Sequence, residues 1–465
     1  MDEINILKNR EIFGTQNTEV FDVPTISLDK KRVTKGLKLK DKELAERISM
    51  MGTDLDEITS TSIDVEIFPN RPDLLSEQGF ARALSSFAGV DKGLRKYSAK
   101  KSGFKLIIDS SVKDVRPYTA CAVVKNFKFS PDKIDQVIKI QEKLHVTYGR
   151  NRKKAAIGIY PLEKIKFPIY FKAAKDIKFR PLESDKEMTA SEILSDHPTG
   201  KEYGHLLAGV DKYPYFVDSN DEILSMPPII NSYNTGRITG ETSAVFIECS
   251  GFDHDVLSKC LNMIVCALAD DGGEIYEIEV ENKHLHKKYV LPELAPTEMK
   301  IDIDYVNKRL GLSLKDVKPY LEKMGYGYEK SKVLVPCYRA DILSQSDLVE
   351  DIAIAYGFEN FNAIIPKVST VGEEDSIEKF KSKLTEVLVG LGMHETMTYN
   401  ISSSASQSTL MNSSPDLVML ANSLTTDYDC LRYWVIPSLM EVLRWNRQHE
   451  YPQKFFDFGR IFKKG

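Results

Sequence analysis

Apolar positions recur along this chain with two alternating periods. In Lys40–Met51, Leu44, Ile48 and Met51 fall at spacings of four and three, which predicts a helix. Ile63–Phe68 alternates apolar and polar residues and predicts a strand. Pro69-Asn70-Arg71-Pro72-Asp73 breaks it, and Leu74–Phe87 predicts a second helix ending near Gly89. The Lys- and Ser-rich stretch 90–112 reads as a linker. Beyond it the pattern predicts a strand at Ala120–Val124, a helix at Ile134–His145 and a buried strand at Ala155–Tyr160. Leu206–Ala208 and Tyr215–Val217 read as short strands. Leu257, Leu261, Ile264, Val265 and Leu268 share one face of a helix predicted over Asp253–Ala269. Tyr276, Ile278 and Val280 then alternate with glutamates, the signature of a half-exposed strand.

Leu291–Pro296 reads as a second linker. After it the chain predicts a helix at Leu314–Met324, a strand at Val333–Pro336 and a helix at Asp347–Tyr356. Asp375, with Glu378 three residues on, is placed to cap a helix whose apolar face is Phe380, Leu384, Val387, Leu388 and Leu391. Thr396–Ile401 is strand-like. One motif is repeated. Arg71-Pro72-Asp73-Leu74-Leu75-Ser76 matches Arg339-Ala340-Asp341-Ile342-Leu343-Ser344 in spacing, and each follows a helix ending in Met-Gly. The shared plan is a helix–strand–helix module used twice. The fold class expected is α+β in several domains: an extension and small module over 1–90, a mixed α/β domain over 113–282, a small helical module over 297–370 and a last domain over 373–465. Residues 1–22 show no period and read as a loose extension.

The 465 residues carry a net charge of -5, so the chain is not coated in base as a general nucleic-acid binder would be. Any RNA contact rests on local runs: Lys30–Lys42, Arg95–Lys105 and Gly149–Lys154. Each of these is also an ordinary solvated face. No apolar run approaches the roughly 20 residues that span a bilayer, and the acidic N-terminus is not a secretory signal. Six scattered cysteines form no Cys-x-x-Cys pair, which argues for a reducing, cytoplasmic setting. Phosphate-loop, nucleophile-elbow and zinc-helix signatures are absent. His284 and His286 alternate at a basic strand end, where solvation explains them.

Two clusters carry candidate chemistry. One is Ser225–Ser232, followed by Arg237, Glu248 and Ser250. Its Pro227-Pro228 pair holds the backbone extended, and Glu248 ends an apolar strand, where a carboxylate either caps a neighbour or lines a pocket. The other is Asp341, Asp347, Glu350 and Asp351, the last three on one helical face. Oxygen ligands suit magnesium, but the same spacing serves a helix N-terminus.

These residues resemble a known family. Asn70–Ser76 with Ala81–Leu84, Met226–Ser232, Thr242–Gly251, Tyr338–Phe358 and Leu431–Gln453 together resemble the beta subunit of phenylalanyl-tRNA synthetase in its archaeal and eukaryotic form, over residues 23–465. The resemblance implies an alpha2-beta2 ligase that joins phenylalanine to tRNA(Phe). In it the alpha subunit binds ATP and phenylalanine, and the beta subunit ends in a class II-like antiparallel sheet domain without that chemistry. It implies that 113–282 is an editing domain that hydrolyses mischarged tyrosyl-tRNA(Phe), because a pocket for phenylalanine rejects an added hydroxyl by only about 100-fold. The site residues it implies are Gln141, Arg152, Ser225, Arg237, Glu248 and Ser250. Glu248 and Ser250 would read the phenol, and Arg152 and Arg237 would hold the tRNA 3′ end. Hydrolysis would use an oriented water and the terminal ribose hydroxyl. It also implies Mg2+ at Asp341, Asp347, Glu350 and Asp351. The chain stops at Gly465, short of the family's last strand-and-helix set, which leaves the last domain incomplete. A free-standing aminoacyl-tRNA hydrolase and a non-enzymatic RNA-binding scaffold are the alternatives.

Overall fold

Short alternating strands and well-capped helices appear where the apolar periods change. A computed structural model of the chain describes residues 24–464, apart from 128–129, 366–367 and 370. The expected extension over 1–22 lies outside the described residues. The chain divides into two compact units, residues 1–362 and 363–465.

The first unit opens with a small module. Strands β1 (Thr25–Asp29), β2 (Asp54–Ile58) and β3 (Ser62–Glu66) form an antiparallel sheet in the order β1-β3-β2. Helices Asp41–Met50 and Glu77–Phe87 cover it with Leu44, Ile48, Phe80 and Leu84, all buried. Ser76 starts the second helix by accepting the Gly79 N–H at 3.0 Å. Pro72 turns the expected first turn of that helix into a short 3-10 segment, Pro72–Leu74.

A ten-stranded mixed sheet follows. It contains β4 (Lys100–Ile108), β5 (Tyr118–Lys125), β6 (Ala155–Pro161) and β7 (Ile169–Ala174). A two-strand ladder, β8 (Lys178–Phe179) and β9 (Met188–Thr189), lies off it. Then come β10 (Tyr213–Val217), β11 (Ile223–Met226), β12 (Ile230–Asn231), β13 (Ala244–Gly251), β14 (Glu274–Asn282) and β15 (Lys287–Leu291). The order is β12-β11-β10-β7-β4-β14-β5-β13-β6, with β15 on β14. Helix His254–Asp270 packs on β5 and β13 through Leu257, Cys260, Leu261 and Ile264. The stretch expected as a linker therefore contributes β4, which pairs in parallel with β14 and β7. The sheet domain runs from 100 to 291, and 292–296 then connect it to the next strand. Leu206–Ala208 is not a strand: Gly204–Leu207 forms a 3-10 turn. Pro227-Pro228 does not extend the chain but turns it from β11 into β12.

The repeated module comes last in this unit. Strands β16 (Thr297–Lys300), β17 (Gly327–Glu329) and β18 (Lys332–Val335) pair in the order β16-β18-β17. Helices Ile303–Leu310, Lys318–Lys323 and Gln345–Tyr356 pack on a core of Val306, Leu321, Val333, Leu348 and Ile352. The two modules share more than sequence. Gly52 and Gly325, each after a Met, both take positive φ (88° and 83°) where the helix turns into the next strand. Arg71 forks onto Asp73 at 2.9 Å through both bonds, and Arg339 onto Asp341 at 2.8 and 2.6 Å.

The second unit holds helices Ser376–Gly390 and Ile436–Trp445 and two short ladders. His394–Glu395 pairs with Phe455–Phe456 in parallel, and Ile401–Ser402 pairs with Cys430–Leu431 antiparallel. Only the ends of the expected Thr396–Ile401 strand pair, and one ladder is parallel where an antiparallel sheet was expected. Arg432, 2% exposed, anchors the unit by bonding Thr398 Oγ1 at 2.6 Å and the Arg460 carbonyl at 2.7 Å.

Candidate functional site

Glu248 stands on β13 between β5 and β6, paired with Cys121 on one side and Gly158 on the other. Neighbouring Cys249 faces the His254–Asp270 helix, beside Cys260. By the alternation of a strand, Phe246, Glu248 and Ser250 face the opposite side. There the sheet borders a cavity of about 400 Å3. Its walls are apolar, from Ile134 and Ile138 on the Pro131–Val146 helix, Ile157 and Ile159 on β6, and Pro227–Ile230 in the β11–β12 turn. Gln141, Arg152, Arg237 and Glu248 supply polar points on the same walls.

Glu248 is 1% exposed. Tyr160 Oη lies 3.1 Å from its Oε1, 2.8 Å from Ser225 Oγ and 3.3 Å from Asn231 Oδ1. Glu248 Oε2 has no hydrogen-bond partner among the described residues. Burial pushes its carboxyl up to about 8, against the opposing pull of Tyr160, Arg116 and Ser250. A neutral carboxyl suits this geometry, because the single phenolic proton of Tyr160 cannot serve three acceptors. Gly158 makes the arrangement possible, since a Cβ there would collide with both Tyr160 Oη and the Glu248 carboxyl.

The other expected residues divide between cavity and frame. Gln141 Nε2 donates to the Ile157 carbonyl at 3.0 Å, and His145 Nε2 accepts the Ile157 N–H at 2.8 Å. Strand β6 is the last in the sheet, so these two side chains, one helical turn apart, satisfy its open edge. With Nε2 so engaged, the neutral imidazole carries its proton on Nδ1, 3.3 Å from Glu142 Oε1. Burial lowers the His145 pKa and favours that neutral form. Arg152 donates to the Ile229 carbonyl at 2.8 Å and lies over the Tyr203 ring at 4.1 Å, so it braces the β11–β12 turn. Arg237 is exposed and bonds Tyr233 Oη at 3.1 Å. Ser225 is buried behind Tyr160. Ser250 accepts from Arg116 Nε at 3.1 Å and lies off the cavity wall. Arg116, buried with Glu248 as its nearest counter-charge, has its pKa lowered to about 10 by desolvation.

Tyr160, Arg116 and His145 are parts of this site that the sequence does not announce, whereas Asn231 lies inside the Ser225–Ser232 stretch. The only available signal was alternation on Ala155–Tyr160, which puts Gly158 and Tyr160 on one face.

The four acids expected to hold magnesium do not converge. Asp341 forks onto Arg339, and Asp351 accepts from Arg339 at 2.8 Å and from Tyr326. Asp347 caps its own helix, accepting the Leu343 and Ser344 N–H groups at 2.8 and 2.7 Å. Glu350 is exposed on the next turn. Among the described residues no three acidic, His or Cys side chains gather to hold an ion, so these acids do not fit a resident magnesium. No described helix is long and apolar enough to cross a membrane.

Comparison with known proteins gives these sites a family. Residues 299–358 match the tRNA synthetase B5 domain, and 362–465 match the phenylalanyl tRNA synthetase beta chain CLM domain. The phenylalanine–tRNA ligase beta subunit of Archaeoglobus fulgidus is 41% identical over 428 residues, which is 89% of this chain and 77% of that one. The Pyrococcus horikoshii beta subunit is 42% identical over 84% of this chain and 71% of its own length. A crystal structure of an N-terminal fragment of the phenylalanyl-tRNA synthetase beta subunit from Pyrococcus horikoshii matches with a TM-score of 0.67 and 39% identity, covering 72% of this chain and 99% of that fragment. Similarity this deep, over most of the chain and most of each relative, places the chain in the phenylalanine–tRNA ligase beta-subunit family.

Proposed function

We propose that this chain serves an alpha2-beta2 phenylalanine–tRNA ligase as its beta subunit, and that the Glu248 cavity hydrolyses tyrosyl-tRNA(Phe). The observation that carries the editing reading is the buried Glu248 carboxyl, with one oxygen unpartnered, in a cavity of about 400 Å3 with isoleucine and proline walls. An aromatic ring fits the isoleucine and proline walls. A phenol hydroxyl at the end of that ring can bond Glu248 Oε2, as Tyr160 already bonds Oε1. Phenylalanine would leave the buried oxygen unpaired. Sites built to hydrogen-bond a substrate hydroxyl reject the analogue lacking it by about 10⁴-fold or more.

Arg237, exposed at the rim, is placed to meet a phosphate of the tRNA 3′ end. Arg152 shapes the cavity by holding Ile229, and its tRNA contact, if made, is secondary to that. Neither His145 nor Glu248 is suited to act as general base: the first has Nε2 occupied and the second is neutral below about pH 8. Water therefore attacks the ester carbonyl with help from positioning and from the tRNA's own terminal ribose hydroxyl. The carbonyl carbon gains the water oxygen and releases the ribose oxygen, which takes up a proton.

Assembly has its own support. Phe380 and Val387 on helix Ser376–Gly390 and Leu391 at its C-cap are 58%, 59% and 63% exposed, apolar surface of the kind that marks an interface. The alpha subunit is the proposed cover, bringing the ATP and phenylalanine sites. The test is reconstitution with the alpha subunit, tRNA(Phe), ATP and tyrosine. Wild-type protein should leave little tyrosyl-tRNA, and Glu248→Ala should let it accumulate. Equal accumulation in both would reject the editing role.

A further inference from the structure

The joint between the first module and its later repeat encloses a second cavity, of about 100 Å3. Ser86 Oγ and the Gly93 N–H both donate to the Glu322 carbonyl, at 3.0 and 2.7 Å, and Arg82 lies 3.8 Å over the Tyr338 ring. These contacts draw three separate stretches of chain around one space. Its lining includes Arg71, Arg82, Arg95, Arg339 and Lys92. Only two carboxylates, Asp73 and Asp91, share those walls. Asp270, Asp341 and Asp351, which pair with the arginines, are not part of the lining. Counted with those three, five carboxylates match the five cations and every guanidinium already has an ion-pair partner; Lys92 alone has none among the described residues.

One donor there has no use inside the protein. Arg339 is 2% exposed; its Nε and Nη2 bond Asp341 and Asp351, while Nη1 has no hydrogen-bond partner among the described residues. A buried N–H of a charged group left unpaired is costly and rare. Burial and the nearby Arg339 charge both work against the charge on Arg71, and Asp73 outweighs them. A small anion between Arg71 and Arg339 would relieve that repulsion and occupy Nη1.

We propose that this inter-module cavity binds a phosphate-class oxyanion. Guanidinium forks match such oxygens, and donors arriving from three stretches of chain suit a tetrahedral ion. The volume is well below the roughly 300 Å3 at which pockets for small organic molecules begin, which leaves room for one oxyanion and excludes a nucleotide. The anion ties the repeated modules together where Arg71 of the first and Arg339 of the second lie close. This site is independent of the Glu248 cavity.

The experiment is calorimetric titration of the full chain with inorganic phosphate against chloride at matched ionic strength, with thermal melting alongside. Wild-type protein should bind one phosphate saturably and melt higher in phosphate. Lys92, exposed and without an ion-pair partner among the described residues, can be changed without touching the packed joint, and Lys92→Glu should weaken binding about tenfold or more. Arg339→Lys, which keeps the charge but loses the fork, should abolish it. Arg237→Glu, in the other cavity, should leave it unchanged. Displacement of the phosphate by tRNA at the same ionic strength would assign the anion to a polynucleotide backbone, and its retention would assign it to free phosphate. No phosphate-specific heat, or binding unaltered in Lys92→Glu, would overturn the proposal, as would loss of binding in Arg237→Glu alone.

Discussion

Glu248 is the buried carboxyl on which the proposed selectivity rests. Its carboxyl is held neutral to about pH 8 by burial, whereas an exposed glutamate ionises near 4.5. The folded state therefore holds a proton that the unfolded chain releases. The stability this gives is fully present below pH 4.5 and declines as pH rises toward 8. The linked loss is on the order of 4 kcal/mol across that window. Glu248→Gln, which cannot ionise, should remove it: the variant's melting temperature should gain on wild type steadily from pH 5 to pH 8. A gap that does not change with pH would mean Glu248 ionises normally. Tyr160→Phe deprives both Glu248 Oε1 and Ser225 Oγ of their partner, at a cost of about 1–3 kcal/mol that denaturant unfolding would read. Glu248 and Ser225 were reachable from sequence because they lie in motifs that resemble a family. Tyr160 and Arg116 were not, because their roles arise from pairing across residues far apart: Tyr160 meets Glu248 across 88 positions, and Arg116 meets Ser250 across 134.

At the scale of single elements, local signals were read well where the chain caps its own helices. Asp375 starts its helix by accepting the Ile377 N–H, as its spacing foretold, and Asp253 and Ser344 cap theirs in the same way. In the acidic cluster, Asp347 follows the same rule and spends one oxygen on two backbone donors of its own turn. Strand β4 was missed because Lys100, Lys101, Ser102 and Gly103 look like a solvated linker. Its burial begins only at Leu106, where parallel neighbours β14 and β7 cover both edges. Parallel pairing through distant chain leaves little local trace. The repeated module offers a sharp test of energetics. Asp351 is 5% exposed and accepts from both Arg339 and Tyr326, so Asp351→Ala leaves the buried guanidinium with Asp341 alone and should destabilise the unit by about 1–3 kcal/mol in chemical denaturation. A change under about 1 kcal/mol would mean that solvent or another anion takes over the pairing.

Across the whole molecule, the two functions proposed occupy different units: the cavity lies on the sheet of the first, and the exposed apolar helix on the second. They should separate by mutation. Phe380→Glu with Leu391→Glu should reduce capture of the alpha subunit about 100-fold or more, as charges placed at an interface core do, while leaving deacylation untouched. The start of the sheet at 100 rather than 113 was not legible in the sequence, because only the assembled sheet shows which strands share a core. The central claim is that a buried carboxyl selects the tyrosyl ester. Its most direct measurement is the rate of amino-acid release from tyrosyl-tRNA(Phe) and phenylalanyl-tRNA(Phe) by wild-type protein and Glu248→Ala. The account predicts release of tyrosine only, with the preference falling about 100-fold in the variant; equal release of both amino acids by wild type, or a preference that survives the substitution, would contradict it.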